Sequence, residues 1–168
     1  MARGMVECTC ERCGNTFTKI KHGCMNRADA TRWEEWAKEN CTLCPDCWAK
    51  DKKAADEQRV AALIKEFNLP DITGVSEKQI KYATDLRNDA LKNSERNIRK
   101  IRNCIEAAEK GEFDDYAREN NTTPDQMIRD VLEQYQWPLG WYTMFSTGSA
   151  RQIIDDMHHI VSIPRKRP

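Results

Sequence analysis

The sequence predicts a mainly α-helical protein with a small β element at its N-terminus, and three observations carry that prediction. Apolar residues make up 39% of the 168-residue chain and charged ones 32%, a balance that suits solvated helices better than a sheet protein. From Trp48 to Asn68 the chain is rich in Ala, Lys, Glu and Leu, all good helix formers, and beyond it apolar side chains keep recurring at helical spacing. Seven of the eight cysteines lie within the first 47 residues, where large apolar side chains are too few to hold a fold by themselves. A chain of this length makes one domain or two small ones and can bury roughly 70% of its unfolded surface.

The cysteine-rich head runs to Cys47. A disulfide framework spreads its cysteines through a short secreted chain, whereas clustered thiols point to metal binding in a reducing compartment. Zinc takes thiolates in tetrahedral geometry, and two ligands from one tight turn need two residues between them. Cys10-x2-Cys13 and Cys44-x2-Cys47 have that spacing, and Gly14 follows the first pair, where a turn without a Cβ clash is useful. The expectation is a four-cysteine zinc ribbon that binds Zn2+ structurally, because four thiolates leave no open position for catalysis. Buried free thiols and a redox pair are the competing readings, the latter lacking any βαβ context. Register stays open as well. Cys41-x2-Cys44 is equally spaced, and Cys8, Cys24 and Cys41 with His22 form a possible second set. Between the knuckles, Asn15–Ile20 alternates polar with apolar or β-branched residues like a strand. Asp29–Asn40 carries Trp33, Trp36 and Ala37 at helical spacing.

Leu69-Pro70 ends the helix after the head and Thr73-Gly74 marks a turn. The predicted division is therefore 1–69, a ribbon with an inserted helix and a trailing linker helix, and 70–168, a helical domain. Ser76-Glu77-Lys78-Gln79 is a capping box, followed by Ile80, Ala83, Leu86, Ala90, Ile98, Ile101 and Ile105 at helical spacing. Asn93-Ser94 favours a break there. Thr123-Pro124-Asp125-Gln126 combines an N-cap, a proline at the first helical position and a glutamine at the third, and Trp137-Pro138 stops that helix. A loop with Gly140 and Gly148 precedes a last helix from Ser149 to about His159.

Zero net charge means that no global field draws the chain to nucleic acid or to a membrane. The longest apolar run, Val60–Ile64, is far too short to span a bilayer, and no signal-peptide pattern opens the chain. These features predict a cytoplasmic protein without membrane contact. Charge is nevertheless uneven: nine basic against six acidic side chains over 76–110 leave +3, and two against seven over 111–136 leave −5. Lys92, Arg96, Arg99 and Arg102 or Lys100 lie near one helix face and could track DNA or RNA phosphates, or simply face solvent opposite Ile98, Ile101 and Ile105. Arg165-Lys166-Arg167 could add a phosphate contact. Trp137, Trp141, Tyr142, Met144 and Phe145 form either a core plug or a partner surface. Asp114, Asp115 and Glu119 head the acidic stretch as candidate partner contacts. Asp155-Asp156 with His158-His159 is most simply a solvated helix end, its histidines suited to the C-terminal dipole. No phosphate loop, nucleophile elbow or HExxH is present, so no enzyme is predicted.

Leu69-Pro70-x-Ile72-x-Gly74-x-Ser76-Glu77-Lys78-Gln79-Ile80-Lys81-Tyr82-Ala83-x2-Leu86-Arg87 resembles a segment of poorly characterised zinc-ribbon proteins from Firmicutes phages and mobile elements. Ser149-Ala150-Arg151-Gln152-Ile153-Ile154-Asp155 is similar to the closing helix of the same family. The chain departs from that pattern at Ile153, where the family carries tryptophan, and in the long insertion between the two segments. The resemblance implies a phage or mobile-element accessory protein, a group that includes anti-CRISPR inhibitors, and hence a host Cas-type nuclease as partner. The acidic 111–136 stretch would then meet a basic nuclease groove.

Overall fold

The computed structural model describes residues 1–159; the basic cluster Arg165-Lys166-Arg167 lies outside them. The chain opens with an antiparallel hairpin. Strand β1 (Ala2–Thr9) pairs with β2 (Thr16–Cys24), placing Met5 opposite Ile20, Glu7 opposite Thr18 and Cys8 opposite Phe17. In β1, Gly4, Val6 and Cys8 are buried while Arg3, Met5 and Glu7 are exposed, the period of two that a sheet covered on one face requires. The sequence predicts only the second strand, because two of the inward positions of β1 are held by a glycine and a cysteine rather than by large apolar residues.

Helix α1 (Arg27–Asn40) covers the inner face of the hairpin. Its N-cap Asn26 accepts from the Asp29 N–H at 2.9 Å, and Trp33 and Ala37 pack with Val6, Cys8 and Phe17. The closest approach is at Gly4, where a Cβ would lie 2.7 Å from Trp33 Cε3 and 3.4 Å from the Ala30 carbonyl oxygen. Gly4→Ala must therefore displace the indole, and a loss of about 1–3 kcal/mol from this unit is expected. The loss is read as a lower thermal midpoint of the metal-loaded protein; an unchanged midpoint would mean that the indole yields freely.

Helix α2 (Pro45–Glu66) begins three residues before Trp48, with proline at its first position, where the missing N–H costs nothing. The chain separates into two compact units inside this helix, Met1–Glu57 and Gln58 onward. The sequence places the break later, at Leu69-Pro70. Val60, Leu63, Phe67 and Leu69 explain the difference, since all four are buried in the core of the second unit.

The spine of the second unit is α3 (Glu77–Glu109). Its N-cap Ser76 accepts from Gln79 N–H at 3.3 Å. The break expected at Asn93-Ser94 is a kink within one helix, with Ser94 at φ −131° and ψ 21°. Three apolar patches follow along α3. Ala83 meets Ala150 and Ile153 of α7 (Ala150–His158). Leu91 and Ile98 meet Val60, Leu63, Phe67 and Met144. Ile101 meets Ile128 and Leu132 of α5 (Pro124–Tyr135). The short α4 (Asp114–Glu119) precedes α5, whose N-cap Thr123 accepts from Gln126 N–H at 3.1 Å. Helix α6 (Gly140–Ser146) occupies the stretch that the sequence reads as a loop; it buries Thr143 and Met144 and is too short to show periodicity.

Helices α2, α3, α4 and α5 end alike. Asn68, Gly111, Asn121 and Gln136 have φ values of 49°, 73°, 50° and 54°, and the next N–H returns to a carbonyl five residues earlier, as in Leu69 to Ile64 at 3.0 Å and Trp137 to Leu132 at 2.9 Å. This left-handed closure satisfies carbonyls that the helix itself leaves unpaired. It also folds Leu69 and Trp137 back onto the core.

Leu69–Arg87 and the start of α7 meet in space. Thr73 N–H donates to Gly148 O at 2.7 Å, Ala150 N–H donates to Thr73 O at 2.8 Å, and Thr73 and Ser149 form a parallel bridge. Buried Arg87 donates from Nη1 to Pro70 O at 2.7 Å and so fixes the turn before α3. Among the described residues no helix is long and apolar enough to cross a membrane.

Candidate metal centre

Two tight turns build the centre in the first unit. At the end of β1, Gly14 N–H donates to Cys10 O and Cys10 N–H to Asn15 O, both at 2.9 Å. Gly14 closes this turn at φ +73°, a conformation that costs glycine nothing. The second turn is the start of α2, where Trp48 N–H donates to Cys44 O at 2.9 Å and Cys47 N–H points at Cys44 Sγ at 3.5 Å. Glu11 N–H donates to Thr42 O at 2.9 Å and joins the two turns. Arg12 pairs with Asp51, which keeps a cation beside the sulfurs.

The ligand atoms of Cys10, Cys13, Cys44 and Cys47 lie within 4.8 Å of one another. Cys13 Sγ and Cys44 Sγ are 3.7 Å apart. A tetrahedral tetrathiolate with metal–sulfur bonds of about 2.3 Å needs sulfurs about 3.8 Å apart, so these residues fit a metal ion. Cys10, Cys44 and Cys47 are buried and Cys13 is exposed.

The electrostatics of the four thiols favour a cation among them. Backbone N–H groups of Cys44, Cys13 and Arg12 pull the Cys10 thiol down to about 6. Its neighbour Cys47 is pushed up to about 12, first by the Cys44 sulfur and then by burial. For Cys13 the Asn15 N–H favours the thiolate, but hydrogen bonding with Cys10, burial and Cys44 outweigh it, and the thiol is raised. Four sulfurs at this separation cannot all ionise without a positive ion between them.

Register is resolved in favour of Cys44 and Cys47. Cys41 packs with Cys8, Val6 and Ala37 instead, and Cys8 Sγ donates to Ala37 O at 3.7 Å. Cys24 is buried, its Sγ reaching Lys21 O at 4.0 Å, and His22 is exposed on β2. Among the described residues these four gather into no second metal-binding group.

The remaining candidate residues go separate ways. Arg99 donates to Glu95 at 3.1 Å and to Glu66 at 3.0 Å, and lies over the Phe67 ring. Arg102 donates to Glu106 at 2.8 Å and lies over Phe145. Two of the four basic residues read as a phosphate-tracking face are thus engaged inside the unit; Lys92 is exposed but has a contact of its own, and Arg96 is exposed. Asp114, Asp115 and Glu119 are exposed on α4, and Asp115 pairs with Arg118 at 3.3 Å. Trp137 and Trp141 lie with centroids 5.7 Å apart and pack with Ile101 and Leu132, partly buried as a plug at this end of the core. Asp155 pairs with Arg151 at 3.8 Å, Asp156 accepts from Thr143 Oγ1 at 2.5 Å, and His158 meets the Tyr82 hydroxyl at 3.1 Å. These acids and the histidine therefore serve three different contacts.

The fold and centre define a zinc-ribbon type of architecture, a two-stranded sheet with a four-cysteine cluster followed by helices. The chain matches no protein-family model, no curated protein and no solved structure.

Proposed function

We propose that the chain is a non-enzymatic, zinc-stabilised binding protein of phage or mobile-element origin that inhibits a host RNA-guided nuclease by protein–protein contact. The observation that carries this reading is the closed four-thiol centre. Paired CxxC turns suit tetrahedral zinc, and four sulfurs leave no site for substrate or water, so the ion holds shape rather than performs chemistry. The origin and the target class rest on the resemblance of Leu69–Arg87 and Ser149–Asp155. The exposed carboxylates of α4 supply a surface suited to a basic nuclease groove.

A pull-down with purified Cas-type nuclease, compared with salt titration of duplex DNA, tests the reading. Tight nuclease binding that weakens on reversal of Asp114, Asp115 and Glu119 supports it. Affinity confined to free DNA and falling steeply with salt contradicts it and favours a nucleic-acid-binding regulator, for which the exposed Arg96 speaks.

Acid is expected to release the zinc. Bound cysteines carry no protons, whereas free cysteines hold theirs below about pH 8.5. The unfolded, metal-free chain therefore binds more protons, and the stability of the first unit falls as pH falls. A chromophoric chelator should record steeper release per pH unit than a single proton allows; release independent of pH would contradict thiolate ligation.

A further inference from the structure

Between α3 and α5 the second unit carries an open recess of about 320 Å³. Its floor is apolar: Ile101 and Ile128 are buried, and Cys104 lies beside them, a thiol that burial pushes up and so keeps neutral. Val131, Tyr135 and Trp137 form the wall. Tyr135 stacks on Trp137 with centroids 4.8 Å apart, yet is 57% exposed. Aromatic surface open to water beside an apolar floor marks a binding site more often than idle surface.

Charge at the rim tells the two sides apart. Helix α5 contributes only uncharged side chains to the lining, whereas α3 contributes Lys100. Arg96 lies one turn earlier on the same face of α3. Both cations are exposed, and neither has an ion-pair partner among the described residues. By contrast Arg99 and Arg102, which point to other faces, are tied to Glu66, Glu95 and Glu106. The recess thus presents an apolar slot with Lys100 at its rim and Arg96 one turn further along α3.

We infer that this recess binds an acidic amphipathic helix of a partner protein. One or two large apolar side chains of that helix fill the slot, and carboxylates one turn apart meet Lys100 and Arg96. This is helix-in-groove recognition, with anchors for affinity and rim charge for selection. A basic partner would leave both cations facing like charge. The inference goes beyond the proposed contact through α4, because that surface suits a basic partner and this one an acidic partner on another face. Failure at either surface leaves the other intact.

Methyl NMR on the zinc-loaded full chain tests it, with three probes. One is a synthetic helical peptide with leucines at i and i+4 flanked by glutamates; the second carries lysines in place of the glutamates; the third is a single-stranded oligonucleotide. The glutamate peptide is expected to shift the Ile101, Ile128 and Val131 methyls, and to bind at least about tenfold more tightly than the lysine peptide. Lys100→Glu with Arg96→Glu should weaken it about tenfold, and Tyr135→Ala should weaken it while leaving the fold unchanged, since Tyr135 is exposed. Equal binding of the lysine peptide, absence of methyl shifts, indifference to these substitutions, or stronger shifts from the oligonucleotide would each overturn the inference.

Discussion

Serine at Cys44 is expected to empty the metal centre and unfold the first unit while the second stays folded. Cys44 is buried in the cluster, with its sulfur near Cys13 and accepting the Cys47 N–H. A hydroxyl does not replace a thiolate as zinc ligand. The core left behind is small: Val6 and Cys8 of β1, Cys24 of β2 and Ala30 and Ala37 of α1 are buried, helped by partly buried Phe17 and Trp33. Structural zinc contributes about 10–16 kcal/mol in zinc-finger peptides, far more than such a core supplies. The second unit has its own apolar clusters along α3. Near-UV circular dichroism from Trp33, Trp36 and Trp48 should therefore collapse while most far-UV helical signal persists. A metal-free variant with unchanged near-UV signal would contradict the prediction.

Alanine at Gly148 is expected to damage the second unit where its two ends meet. A Cβ at this position would run into the carbonyl oxygen of Asp71 and lie 3.7 Å from Pro70 Cβ. Backbone cannot swing away as a flexible side chain can. The substitution must open the Thr73–Ser149 bridge or shift α7 off Ala83, and forced overpacking of this kind costs about 3 kcal/mol. Denaturant midpoints should fall for the second unit and hold for the metal-loaded first unit. A midpoint within experimental error of the parent would show that the Leu69–Ser76 turn is free to move.

This contact also explains the two glycines that flank it. Gly74 sits where a Cβ would lie 3.0 Å from Ala150 Cβ, and Gly148 sits against the Asp71 carbonyl. Small residues permit the approach, the bridge fixes its register, and Arg87 holds the turn from below.

Much of this architecture is legible in the sequence because it rests on local chemistry. The Cys10/Cys13 and Cys44/Cys47 knuckles announce themselves by spacing, and Ser76 and Thr123 by capping. What escapes depends on partners distant in sequence. Strand β1 is invisible alone, because Gly4 and Cys8 gain meaning only under Trp33 and Ala37. The break between units shifts into α2 because Val60, Leu63 and Phe67 find their core beyond it. Gln136 adopts a left-handed conformation that its residue type does not advertise. The basic stripe read along α3 is divided by the acids of neighbouring turns and elements, which draw Arg99 and Arg102 inward and leave Arg96 and Lys100 outside.

Metal analysis of natively purified protein, combined with X-ray absorption at the metal edge, tests the central claim most directly. The account predicts one zinc per chain in a shell of four sulfurs at about 2.3 Å. Protein purified without zinc yet retaining an ordered first unit, or a shell containing nitrogen or oxygen, would contradict it.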